Sequence, residues 1–187
     1  MLKSISHNVR LAAATAMAAG SAWAVTGAIH LTAGDDVHRE TVDTALAHVM
    51  LGVFSAALLL TVPAMLVLAR QARTPRPGYV AAIGQVALAV AATTSNIVGK
   101  DPTFFLVVAP IANAMWFFGT VGLAVSLRRA GAVSKPVAFA LPAVQLFCLP
   151  LSVVGGGLIG GALLIAVGYL MSVGALRRRE ITPAVAS

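Results

Sequence analysis

The sequence predicts an all-α polytopic membrane protein: a six-transmembrane-helix bundle with both termini cytoplasmic, forming one integral membrane domain over residues 1–187. Three observations carry this. Hydrophobic residues make up 59% of the chain and charged ones only 10%, with a mean hydropathy of +0.91, whereas a soluble domain is about 45–50% apolar and about 25% charged. The apolar residues form long uninterrupted stretches. The basic residues gather at the ends of those stretches. A soluble enzyme is excluded on this composition, and so is a disordered chain, which requires low hydrophobicity.

The first four uncharged stretches, Leu11–Gly34, Thr44–Ala69, Pro77–Gly99 and Pro102–Leu127, hold 24, 26, 23 and 26 residues. Each is long enough to cross a ~30 Å hydrocarbon core at ~1.5 Å per residue. The first needs a separate judgement, because a basic segment, an apolar run and Ala22-Trp23-Ala24 together have the form of a cleavable signal peptide. The run continues past that point to Gly34, which favours an uncleaved helix. Cleavage after Ala24 is the alternative.

The fifth stretch, Pro136–Leu176, holds 41 residues and is too long for one helix. Lys135 and the Arg177–Arg179 triplet bracket it, and basic residues favour the cytoplasmic side. The chain is therefore expected to turn within the stretch, at Gly155-Gly156-Gly157, giving helices near 136–154 and 158–176. A re-entrant pair that enters and returns without crossing is the competing arrangement, kept open by these glycines and by Pro142 and Pro150.

Charge placement orients the bundle. Eleven of the 13 Lys and Arg residues fall on the loops assigned inside, and five of the six acids on those assigned outside. The net charge of +7 thus reads as positive-inside topology in a cell (inner or plasma) membrane, with membrane lipid as the partner and no nucleic acid. Small residues repeat at four-residue spacing, as Gly20, Ala24 and Ala28 in the first helix and Gly157 and Gly161 in the sixth. They predict close helix packing within the bundle. Pro63, Pro110, Pro142 and Pro150 are expected to kink their helices. Cys148, the single cysteine, reads as a small buried apolar residue.

One polar cluster stands out. His30, His38 and His48, with Asp35, Asp36, Glu40 and Asp43, lie between the first two apolar stretches. With Asp36 as N-cap, a helix would carry Asp36, Glu40, Thr44 and His48 on one face, at i, i+4, i+8 and i+12. His48 and His30 would each lie about one turn inside the outer boundary, where ionisable residues are costly and functional by default.

The leading functional reading is a membrane-embedded enzyme acting on a lipid-like or isoprenoid substrate by acid/base chemistry. His48 or Glu40 would move the proton, and His30, Asp43 or Asp101 would orient it or stabilise charge. A second reading has His30 and His48 ligating one haem, or the three histidines with Asp35 or Glu40 holding a transition metal. No helical metal motif supports the latter. A third is a non-catalytic accessory subunit, lipid-binding module or small transporter. Asn96, Gln85, Asn113 and Gln145 read as interhelical glue, and Trp116, Phe117 and Phe118 as packing with a lesser claim to a hydrophobic ligand pocket. Nucleophile-elbow, zincin, P-loop and dinucleotide motifs are absent from the sequence.

Overall fold

The computed structural model describes residues 2–33, 42 and 44–174. Among these residues there are six α-helices and no strand: α1 Leu2–Ala33, α2 Ala45–Gln71, α3 Arg76–Val98, α4 Phe105–Arg129, α5 Lys135–Cys148 and α6 Gly156–Ser172, with a 3₁₀ turn at Ser152–Val154 before α6. Four helices are long and apolar enough to cross a membrane, α1 doing so over His7–Ala33.

Successive helices pack as neighbours, and α1 packs along α6, closing the ring. Alanine and leucine dominate the interior, while Leu106, Phe139 and Ile83 are among the large apolar residues turned outward. That inside-out distribution suits a lipid surround, where close approach rather than bulk drives association. Two tryptophans occupy the centre: Trp23 of α1 stacks on Trp116 of α4 at 6.1 Å and meets the edge of Phe54 of α2 at 5.2 Å.

The α1–α6 seam is built from glycine. A Cβ on Gly20 would sit 2.5 Å from the Gly161 carbonyl oxygen, and one on Gly27 2.6 Å from the Leu158 nitrogen. The expected small-residue contact is therefore present within the chain. Its upper position is filled by Gly27, however, while Ala28 faces outward.

Helix α5 is shorter than expected. It stops at Cys148 after 14 residues, instead of reaching 154, because Pro150 has no N–H to continue the helical hydrogen-bond ladder. Leu149 caps it at φ −113°, ψ −77°. Pro150 thus ends the helix rather than kinking it, whereas Pro63, Pro110 and Pro142 lie inside theirs. The turn falls where the glycines were expected, with Gly155 at φ 79°, and α6 begins at Gly156 and runs 17 residues. At ~1.5 Å per residue α5 reaches about 21 Å and α6 about 25 Å, less than the ~30 Å apolar core. The Arg177–Arg179 triplet lies outside the described residues.

The opposite end of the bundle, where α2 and α4 finish, is tied by a hydroxyl pair. Ser126 Oγ accepts from the Thr74 backbone N–H at 2.8 Å and lies 2.9 Å from Thr74 Oγ1. Arg128 Nη1 donates to the Val133 carbonyl at 3.1 Å across the α4–α5 connection.

Candidate functional site

The antiparallel ring brings the C-terminal ends of α1 and α3 and the N-terminal ends of α2 and α4 to one end of the bundle. His30, His48, Asn96 and Asp101 lie at that end on four segments, and of these His48 and Asn96 bond to each other. Glu40 and Asp43, along with Asp35, Asp36 and His38, lie outside the described residues. The expectation of a helix running from Asp36 through His48 is overturned. Thr44 is extended (φ −110°, ψ 148°) and is itself the N-cap of α2, its side chain accepting from the Ala47 N–H at 3.1 Å. Threonine suits that position because its hydroxyl satisfies an amide the helix leaves unpaired. The expected face is therefore interrupted at Thr44, its third position, while Asp36 and Glu40 lie outside the described residues.

His48 consequently stands in the first turn of α2, exposed, with its backbone N–H bonded to the Thr44 carbonyl at 3.1 Å. Its Nδ1 lies 2.6 Å from Asn96 Oδ1 of α3. The Asn96 Nδ2 donates in turn to the His48 backbone carbonyl at 3.2 Å. That second bond orients the amide, since only its nitrogen can donate to a carbonyl. The amide oxygen must then face Nδ1, so Nδ1 carries the ring proton and Nε2 the lone pair of the neutral imidazole.

His30 is 9% exposed, three residues before the end of α1. Its Nδ1 lies 2.9 Å from the Thr26 carbonyl oxygen one turn earlier, which places a proton on Nδ1 here too. Each imidazole is thus held by a polar partner at its Nδ1: His30 by its own helix, His48 by its neighbour.

Asp101 is exposed in the connection between α3 and α4, five residues after Asn96. Gly99 makes that exit tight, adopting φ 77° and donating to the Ser95 carbonyl. Its own carbonyl accepts from the Val42 N–H at 2.8 Å, which ties the α1–α2 connection to the end of α3. Among the described residues no group of three His, Cys, Asp or Glu side chains is placed to hold a metal ion.

Asn96 is the residue the sequence undervalued. It reads there as one of several helix-joining amides, and its 48-residue separation from His48 leaves no local spacing that links the two. Deeper in the ring, the Gln85 amide is fully buried, and among the described residues neither its oxygen and nitrogen nor the indole nitrogens of Trp23 and Trp116 have a hydrogen-bond partner. Gln145 and Asn113 do bridge their helices, with Gln145 Nε2 donating to the Asn113 carbonyl at 2.9 Å. No protein-family model, no curated protein and no solved structure matches this chain.

Proposed function

We propose that the chain is a multi-pass protein of the cell membrane, both termini cytoplasmic, whose extracytoplasmic end carries an acid/base site for a lipid-like or isoprenoid substrate. His48 is the proton-transferring group. The observation that supports this reading is the two-point hold of Asn96 on His48. An imidazole acts as a base when one nitrogen is fixed as donor and the other keeps its lone pair in reach of substrate. A histidine serving only to anchor the helix to headgroups has no need of a fixed tautomer. Glu40, Asp43 and Asp101 supply the negative charge that stabilises the imidazolium once His48 has taken a proton. His30, bonded to its own helix, orients the far side of the site.

The topology follows from charge. Arg70, Arg73, Arg76, Arg128, Arg129 and Lys135 lie at the end of the bundle away from His48, and basic loops stay inside.

The test is untargeted lipid analysis of the purified full chain in nanodiscs made from a total membrane lipid extract. A lipid species should be converted over time, at least ~10²-fold more slowly by His48→Ala. A lipid profile unchanged by the wild-type chain would end the enzymatic reading. The same Nδ1 bonding supports a second reading, since a metal-bound histidine characteristically donates its other N–H to a carbonyl or carboxamide. One b-type haem held by His30 and His48 would give a Soret band in the purified protein that is lost in either alanine variant.

A further inference from the structure

The α4–α5 seam is the least extensively packed of the ring's neighbouring pairs. A cleft of about 440 Å³ opens along it, within the roughly 300–1,000 Å³ of small-molecule sites. Phe117, Phe118, Leu146 and Leu149 form its apolar walls, and Asn113 and Gln145 its polar floor. Phe118 is 69% exposed on the outer face of the bundle, so the mouth of the cleft opens sideways, toward the bilayer.

The floor has a definite hydrogen-bonding character. Gln145 is 5% exposed, and its nitrogen is committed to the Asn113 backbone carbonyl. This fixes the amide orientation and leaves Oε1 turned the other way. Gln145 Oε1 and Asn113 Oδ1 are both buried and neither has a hydrogen-bond partner among the described residues. A carbonyl oxygen left unpaired in an apolar setting is unfavourable, and both of these side chains line the cleft. What satisfies them must donate a hydrogen bond. A cation would do so only at the high cost of entering the apolar zone, and among the described residues no acidic one lines the cleft to offset it. An ester or ketone could accept from Asn113 Nδ2 but would leave both oxygens unpaired.

We infer that the α4–α5 cleft is a binding site for a membrane-resident alcohol or phenol, entered laterally from the bilayer. The hydroxyl donates to Gln145 Oε1 or Asn113 Oδ1 and the apolar body lies against Phe117, Phe118 and Leu149. This inference is independent of His48, which lies on α2 at the end of the bundle.

The experiment uses the full chain in nanodiscs and a hexadecanol carrying a photoreactive diazirine on its chain, with crosslinked peptides mapped by mass spectrometry. Labelling is expected within 113–118 and 145–150. Unlabelled hexadecanol should displace the probe about tenfold better than hexadecyl methyl ether, which keeps the chain and loses the donor. In Gln145→Leu, and separately in Asn113→Leu, that preference should shrink while labelling of Phe117 and Phe118 persists. Equal competition by alcohol and ether in the wild-type chain, a comparison that needs no variant to fold, would overturn the inference. So would labelling spread evenly over the outer faces of the helices.

Discussion

Asn96 holds His48 at two points, accepting from the imidazole Nδ1 at 2.6 Å and donating to the His48 backbone carbonyl at 3.2 Å. One carboxamide thereby fixes both the tautomer of a side chain and the position of the helix turn that carries it.

Replacing Asn96 by leucine separates those two effects. The α2–α3 contact should weaken only modestly, by about 0.6 kcal/mol, as is usual for an interhelical polar contact in a membrane protein. The His48 ring should nonetheless lose its preference for the Nδ1-protonated form. Nitrogen NMR of ¹⁵N-histidine-labelled protein at a pH where the ring is neutral reads this directly, through the shifts of the two ring nitrogens. An unchanged pair of shifts in Asn96→Leu would show that the carboxamide does not set the tautomer.

Thr44 determines where α2 begins. Thr44→Ala removes the acceptor for the Ala47 N–H and should cost about 1 kcal/mol, the usual worth of such a cap. Because His48 is in the same turn, its ring resonances should shift as well. Thr44→Ser keeps the hydroxyl and is expected to restore both stability and spectrum.

Two glycines give opposite expectations for the same substitution. Gly161→Ala introduces a methyl into the backbone of Gly20, with Ala24 N only 2.9 Å away, and should destabilise the bundle by about 1–3 kcal/mol, the cost of overpacking. Gly52→Ala meets nothing nearer than Asn96 Nδ2 at 3.9 Å. In the interior of α2 it should stabilise by roughly 0.5–1 kcal/mol, since alanine loses less backbone freedom than glycine. Reversible unfolding in mixed detergent and SDS micelles measures both.

Gln85 is fully buried and its amide makes no hydrogen bond to a described residue. Gln85→Met keeps the length of the side chain and removes two unsatisfied groups, each worth about 1–3 kcal/mol when left unpaired in an apolar interior. The variant is therefore expected to raise the unfolding temperature. A lowered temperature would mean that the amide is satisfied in the membrane.

The sequence makes the architecture legible where the physics is one-dimensional. Uncharged runs longer than 20 residues announce α1 to α4, and the triple glycine announces the α5–α6 turn, because length and backbone freedom are local quantities. The end of α5 was also written locally, in Pro150, but the proline reads equally well as a kink. The N-cap of α2 was misplaced for a related reason: both Asp36 and Thr44 are good caps, and only the fold selects between them. Least legible was the pairing of His48 with Asn96 and of Asn113 with Gln145. These residues meet because of how helices rotate about their axes, and helices apolar on all sides leave no polar face from which to read that rotation.

The glycine seam joins α1 to α6. During synthesis α1 enters the membrane long before its partner exists, and the Gly20–Gly27 surface spends that interval against lipid or provisional neighbours. The close approach to α1 rests on Gly157 and Gly161, so it has no counterpart until α6 is present. Ring closure is therefore the final event of assembly, delayed until the segment carrying Gly157 and Gly161 has been made. A ribosome stalled after α5 and before α6 would leave an open, five-helix intermediate, marked as unfinished by an uncovered groove along α1.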